Sequence, residues 1–173
     1  MRLLTAGATL LATLLATLLA TLLAACATAP TPVARADDPP GQRRCGSADQ
    51  RDFDDGLDSR VVTAGQTRLV ASRLARPPAG ARARTFKLTV RLEPGADVTL
   101  ATRTPGTALL FDRSRYRADN AYSLADGSAS YRFTGCAGHS AVRVGAVLTT
   151  GPTSVTLQSG GHTVRVTAYT GQA

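Results

Sequence analysis

The chain has 173 residues, of which 20 are Lys or Arg and 12 are Asp or Glu, so its formal net charge is +8. This length provides one ordinary domain with a buried core. The basic excess predicts either an anionic partner, such as a lipid headgroup or a polymer, or only scattered, solvated arginines on the surface. The chain contains no recognised nucleic-acid motif and no basic, aromatic-rich stretch, which argues against a nucleic-acid partner.

The N-terminal segment is an uncharged run of Leu, Ala and Thr that follows Arg2 and ends in Leu23-Ala24-Ala25-Cys26. A basic start, an apolar run and small residues before the end are typical of a secretory signal, here residues 1–25. Residues 23–26 and the segment before them resemble the lipobox of bacterial lipoproteins. That resemblance implies cleavage before Cys26, lipid attachment to its sulfur and fatty acylation (palmitate, for example) of its new amine. The run of about 23 residues is also long enough to cross a bilayer, so an uncleaved anchor helix is the alternative.

Residues 26–44 are rich in Pro, Ala and Arg. Proline fixes φ and removes a backbone donor, so we expect an extended, partly stiff tether before a folded domain at residues 45–173. With Cys26 assigned to lipid, Cys45 and Cys136 remain as a pair in an oxidising compartment, and we expect a disulfide bond between them. The alternative, a redox-active pair, lacks the Cys-x-x-Cys spacing.

An acidic cluster, Asp49–Asp58, contains five Asp residues around Gly56. Calcium prefers six to eight oxygen ligands, so the cluster is a candidate Ca²⁺ site. However, Gly56 follows Asp52 by four residues rather than five, and no Glu closes the loop as in an EF-hand. We therefore favour a solvated segment with one or two helical turns within Ser47–Leu57, and we predict no bound metal.

The rest of the chain is predicted to consist of short strands. In Thr85–Leu92, apolar and polar residues alternate with a period of two, which indicates a half-buried strand, and a turn separates it from a strand at Asp97–Thr102. Similar patterns predict strands at Ser59–Thr63, Thr67–Ala75, Ala108–Asp112, Ala129–Gly135, Ala141–Thr149, Ser154–Gln158 and Thr163–Tyr169. We therefore predict an all-β fold, an antiparallel β-sandwich that is immunoglobulin-like in broad outline.

A row of arginines provides the candidate binding site. Arg113, Arg115 and Arg117 alternate with polar and aromatic residues, and Tyr116 and Tyr122 lie close by in the sequence. On a strand or an exposed loop the three guanidinium groups would share one face, where they can bind phosphate or carboxylate while the tyrosines cover a sugar ring or a partner surface. The alternative is an edge strand that its charges protect from aggregation.

The C-terminal third carries a second resemblance. Tyr131–Cys136, Gly145–Leu148 and Gly151–Leu157 are similar to a group of secreted actinobacterial proteins to which no activity is assigned. In that group, a strand that ends near one Cys is followed by a Gly turn and by a strand led by a second Cys, whereas Ser154 occupies that position here. The resemblance implies a secreted β domain and leaves Cys45 as the partner of Cys136.

No catalytic signature emerges from the sequence. The two histidines, His139 and His162, lie in Gly-containing segments, and the chain has neither a Gly-x-Ser-x-Gly elbow nor a Gly-rich phosphate loop. We therefore predict no cofactor and no catalytic residue, and a non-enzymatic lipoprotein on the extracytoplasmic face of the cell membrane. Its expected partner is an anionic envelope polymer or another envelope protein. The alternative is an extracytoplasmic enzyme with a dispersed site, since the members of a Ser-His-Asp triad can lie far apart in sequence.

Overall fold

The computed structural model describes residues 38–47 and 61–169. The apolar N-terminal run with Cys26, most of the tether and the acidic cluster Asp49–Asp58 lie outside these residues. Ten strands are formed: β1 Gln42–Arg43, β2 Val61–Ala64, β3 Thr67–Leu74, β4 Arg84–Leu92, β5 Asp97–Thr102, β6 Thr107–Leu110, β7 Ser130–Thr134, β8 Ala141–Thr149, β9 Ser154–Ser159 and β10 His162–Thr167. Within the two described ranges, no helix has the length and apolar character needed to cross a membrane.

The strands form two five-stranded sheets that pack face to face. The first sheet has the order β1-β7-β5-β9-β10, and the second has the order β2-β3-β4-β8-β6. Neighbouring strands are antiparallel, apart from β1, which runs parallel to β7. The predicted all-β antiparallel sandwich is therefore confirmed.

Alternating apolar residues of both sheets build the core between them. In β4, Phe86, Leu88, Val90 and Leu92 are almost completely buried, as the period-two pattern predicts. Across the core, the ring of Phe111 meets the rings of Tyr131 and Phe133 edge-on, at centroid distances of 5.5 and 5.0 Å. Burial of each such side chain stabilises the fold by roughly 1.5–3 kcal/mol, so these rings are a main link between the sheets.

The predicted strands agree closely with the observed ones, and the differences have local causes. Asp97–Thr102 and Ala141–Thr149 have the predicted bounds. The strand predicted at Ala108–Asp112 ends at Leu110, because Asp112 caps the 3₁₀ turn that follows. The strand predicted to reach Tyr169 ends at Thr167, because Tyr169 leaves β9 and forms a bridge with Arg73 of β3 in the other sheet.

The sandwich begins before Cys45. Gln42 and Arg43, which the composition places in the flexible tether, form β1 and pair with Arg132 and Phe133 of β7. These two residues follow the last Pro of the segment, so their backbone amides are free to join a sheet. Because Arg43 pairs with the core residue Phe133, the side chain of Arg43 lies on the inner face of the first sheet.

Residues 111–129, which connect β6 to β7, cover part of the outer face of the second sheet, and we call them the covering loop. Tyr122 and the partly buried Leu124 pack on Ala108, Leu110 and Leu148, which point away from the main core. The loop thereby creates a second, smaller apolar cluster. Its 3₁₀ turns, Arg113–Arg115 and Leu124–Asp126, place the loop's polar side chains outside this cluster.

Cys45 and Cys136 form a disulfide bond, as the sequence predicts. Cys45 follows β1, and Cys136 follows β7, so the bond lies just beyond the point where these strands pair. It ties the start of the folded domain to its late strands across 91 residues.

We predict that replacement of both cysteines, Cys45→Ala with Cys136→Ala, lowers the free energy of unfolding by about 4 kcal/mol, because closing a long loop removes entropy from the unfolded chain. Urea denaturation of the variant beside the wild type measures this loss. Rapid reaction of either thiol in the native, unreduced wild type with a thiol reagent would contradict the bond.

Candidate functional site

Arg43 is a buried charge with several hydrogen-bond and ion-pair partners. It is only 8% exposed, and its Nε donates to the carbonyl of Phe111 at 2.7 Å. Its guanidinium lies 3.3 Å from the carboxylate of Asp112, 3.8 Å from that of Asp38, and 5.6 Å from the ring centroid of Tyr131. A buried charge is stable only when it is paired and hydrogen-bonded, and Arg43 satisfies both conditions.

Asp112 shares its carboxylate between Arg43 and the start of the covering loop. It accepts hydrogen bonds from the backbone N–H of Ser114 at 3.1 Å and from the Ser114 hydroxyl at 2.7 Å, and so caps the 3₁₀ turn. Burial acts to raise the pKa of Asp112, but the Ser114 hydrogen bonds and the positive charges of Arg43 and Arg115 outweigh burial and hold the pKa below its usual value. Asp112 therefore stays ionised and neutralises the positive charges of Arg43 and Arg115.

Arg115 and Arg117 of the predicted binding row are paired with carboxylates of their own loop. The Nε of Arg115 lies 3.7 Å from Asp112, and its terminal nitrogen donates to the carbonyl of Gly127 at 3.3 Å. Arg117 lies 3.3 Å from Asp119 and 3.9 Å from Asp126. Hydrogen bonds from the backbone N–H groups of Ala121 and Ser123, respectively, are the main reason that the pKa values of these two carboxyls are lowered.

The two tyrosines of the predicted site have different environments. Tyr116 is 44% exposed, and its hydroxyl donates to the carbonyl of Val144 on β8 at 3.2 Å, while burial of the hydroxyl end raises its pKa. Tyr122 is buried in the second apolar cluster, and its hydroxyl accepts from the backbone N–H of Arg117 at 3.1 Å. Tyr122 therefore fastens the loop and does not present its ring to a partner.

The covering loop is thus a charge-balanced structural element. It contains three arginines, Arg113, Arg115 and Arg117, and three aspartates, Asp112, Asp119 and Asp126. Both sequence interpretations allowed the arginines to lie along a strand. The structure has a 3₁₀ turn at Arg113–Arg115 instead. Residues two apart point in different directions in a turn of three residues, so Arg113 and Arg115 do not share one face.

The disulfide has a histidine beside it. His139 is exposed, and its ring nitrogen and the sulfurs of Cys45 and Cys136 lie within 4.8 Å of one another. This is the one group of three His, Cys, Asp or Glu side chains in the described ranges with ligand atoms close enough to hold a metal ion. Zinc binds thiolates, and both sulfurs are used by the disulfide bond. His162, in contrast, lies next to Gly65 in the β2–β3 turn.

No protein-family model, curated protein or solved structure matches this chain. Its function must therefore be inferred from the charge, burial and contacts of its own residues.

The formal net positive charge of the chain lies in one segment that precedes the covering loop. Residues 59–92 contain seven Arg and one Lys but no Asp or Glu, which gives +8. The remaining 139 residues contain 12 basic and 12 acidic residues and are formally neutral. The prediction from the sequence was based on the alternation of Arg in residues 113–117. The net charge of successive segments indicates residues 59–92 as a second candidate.

Four arginines of this stretch, Arg73, Arg76, Arg82 and Arg84, surround the connection between β3 and β4, and we call them the basic cluster. The connection is closed at its base, where the backbone N–H of Ala75 donates to the carbonyl of Thr85 at 2.7 Å. At its tip, the N–H of Ala81 donates to the carbonyl of Pro78, and Gly80 has a φ of +80° in this turn, which glycine adopts without strain.

All four side chains of the basic cluster are exposed. Within the described part of the chain, none of their guanidinium groups forms an ion pair or a hydrogen bond. Two exposed arginines elsewhere are compensated, since Arg68 lies 3.8 Å from Glu93 and Arg132 donates to Asp97. Arg165 on β10 is a single exposed arginine that also has no ion pair within the described residues. The basic cluster is therefore the better candidate for an anion-binding surface.

We predict that Arg43→Ala lowers the free energy of unfolding by about 3 kcal/mol or more, because it leaves the Asp112 carboxylate and the Phe111 carbonyl without their buried partner. Urea denaturation measures the change. Arg132→Ala is the matched control, since it removes an exposed ion pair with Asp97 and should barely shift the urea midpoint. Equal effects of the two substitutions would contradict the role of Arg43.

We predict that Asp112→Asn makes the domain less stable at neutral pH and that this loss becomes smaller as the pH falls below 3.8. A carboxyl with a lowered folded pKa stabilises the fold above its unfolded pKa, near 3.8, and this contribution disappears as the pH falls through the folded value. The difference in urea midpoint between wild type and variant should therefore shrink from pH 7 to pH 2. A constant difference across that range would show that Asp112 acts through shape alone.

Proposed function

We propose that this protein is a non-enzymatic lipoprotein, anchored through Cys26 on the extracytoplasmic face of the cell membrane, that binds an anionic component of the envelope. The observation that carries the proposal is the pairing of Cys45 with Cys136. The chain has three cysteines, so this bond leaves Cys26, the residue that ends the lipobox-like segment, as the single remaining thiol.

The disulfide bond also supports the location. Disulfide bonds persist in oxidising compartments outside the cytoplasm and are rare within it. A secretory signal followed by a lipid-attachment cysteine leads to such a compartment. Two independent features of the chain, its N-terminal segment and its disulfide, are therefore consistent with the same side of the membrane.

The distribution of charge supports binding to an anion. The chain carries a formal charge of +8, and the basic cluster presents four exposed guanidinium groups that no described carboxylate neutralises. Arginine binds phosphate and carboxylate through a planar fork of N–H donors, and such contacts weaken as salt screens them. A scaffold of two packed sheets, with a disulfide bond beside β1 and β7 of the first sheet, is well suited to hold an exposed basic connection on its surface.

We predict that Cys26→Ala abolishes acylation and prevents processing at that site, because the thioether forms on its sulfur. Mass spectrometry of the membrane fraction measures the acylated mature chain and its loss, and inhibition of lipoprotein signal peptidase should have the same effect on processing. An unchanged mature mass in the variant would contradict the lipoprotein assignment.

We predict that the purified protein is retained on isolated cell envelopes at low salt and released at high salt, because exposed arginines are screened. Retention measured across a salt series tests this. Salt-resistant retention through one envelope protein would indicate a protein partner, and turnover of ester, peptide or glycoside substrates that a single substitution abolishes would contradict the non-enzymatic assignment.

A further inference from the structure

We propose that the β3–β4 end of the sandwich docks on the anionic surface of the membrane that carries the protein, with the basic cluster in contact with lipid phosphates. The inference rests on the proposed function, because the lipid on Cys26 brings that membrane within reach. It adds a defined contact surface, Arg73, Arg76, Arg82 and Arg84, and a defined ligand chemistry, the phosphate oxygens of anionic headgroups.

The basic cluster is complementary in charge to an anionic membrane surface. The four guanidinium groups are exposed and form no ion pair within the described ranges. The backbone N–H of Arg82 donates to the carbonyl of Tyr122, three residues after Asp119, whose carboxylate is engaged by Arg117 and by the N–H of Ala121. Glu93 lies at the opposite end of β4 from Arg84. An approaching anionic surface therefore meets positive charge at this end, where no carboxylate of residues 38–47 and 61–169 is paired with the four arginines.

The exposed tip of the β3–β4 connection is better suited to contact with a flat surface than to binding of a polymer chain. Six successive residues, 75–80, are exposed, and they include Pro77, Pro78 and two alanines but no acidic residue. Arg73 precedes this tip, Arg76 lies within it, and Arg82 and Arg84 follow it, so the cations lie on both legs of the connection. A planar layer of headgroups can contact both legs at once, whereas one polymer chain would follow a single row.

An exposed aromatic side chain lies beside the cluster. Tyr169 is 43% exposed, and it forms a β-bridge with Arg73 while its carbonyl accepts from the N–H of Leu74 at 3.0 Å. Tyrosine is favoured at membrane interfaces, where its ring meets the acyl boundary and its hydroxyl stays in water. Tyr169 thus adds an interfacial contact to the phosphate contacts of the arginines.

The length of the tether permits this orientation. Twelve residue steps separate Cys26 from Asp38, which span at most about 40 Å when extended. The nine residues of β4 span about 30 Å, so the tether is long enough to let either end of the strands reach the membrane. The acyl chains supply attachment, and the basic cluster would supply orientation.

The test uses the acylated protein in lipid nanodiscs of phosphatidylcholine, alone or mixed with phosphatidylglycerol. Modification of Arg73 and Arg84 by an arginine-specific dicarbonyl reagent, quantified by mass spectrometry, reports whether the cluster is covered. We expect slower modification on the anionic discs and loss of this protection in high salt. Arg76→Gln with Arg82→Gln should weaken docking by about 25-fold, at about five-fold for each arginine near an anionic surface.

Arg68→Gln with Arg132→Gln is the matched control, because it removes the same formal charge from two exposed arginines that are already paired. It should leave the protection unchanged. Equal protection on both kinds of disc, or equal loss in both double variants, would overturn the proposal. Protection by added polyphosphate on phosphatidylcholine discs but none by anionic lipid would also overturn it, in favour of a soluble polyanion. Incorporation into the discs is measured separately, so failure of the lipid anchor is distinguished from failure of docking.

Discussion

The guanidinium of Arg43 joins parts of the domain that no other side chain in the described ranges brings together. It belongs to β1, lies over the ring of Tyr131 of β7, and binds the backbone at Phe111 and the carboxylate of Asp112, where the covering loop begins. A buried charge that lost these partners would be costly, so β1, the first sheet and the loop are held in one arrangement. The disulfide bond at Cys45, two residues later, fixes the same strand covalently.

The charge balance of the covering loop follows from this arrangement. Asp112 is fixed by Arg43 and by the cap on Ser114, and it therefore offers its carboxylate to Arg115. Tyr122, buried in the second cluster, binds the backbone of Arg117. The loop's polar groups thus serve its own structure, whereas the four arginines around the β3–β4 connection form no ion pair within the described residues.

Much of the fold could be predicted from the sequence, because each sheet has one buried face. Apolar and polar residues therefore alternate along its strands with a period of two. Strands such as Asp97–Thr102 and Ala141–Thr149 were predicted to the residue, and the disulfide followed from the number of cysteines. The strand β1 was missed because its two residues are too few to show a period, and their stability comes from contacts of Arg43 distant in sequence.

The proposed binding surface was harder to predict, because the charge that is available to a ligand depends on how the chain folds. The spacing of Arg113, Arg115 and Arg117 shows only that positive charge is dense along the sequence. Binding depends on the positive charge that neighbouring carboxylates leave unpaired in the folded protein. Whether Arg115 and Arg117 are paired depends on the path of the loop, which brings Asp126 back to Arg117 after nine residues. By contrast, the lack of any acid in residues 59–92 is visible without a structure.

The central claim, that charge compensation decides which surface carries the proposed anion binding, is tested most directly by comparing two pairs of substitutions that remove equal charge. Retention on isolated cell envelopes at low salt would be measured for Arg76→Gln with Arg82→Gln and for Arg115→Gln with Arg117→Gln, in protein whose folding has been verified by its urea midpoint. The account predicts that the first pair loses retention and that the second keeps it. Loss of retention in the second pair with full retention in the first would contradict the account.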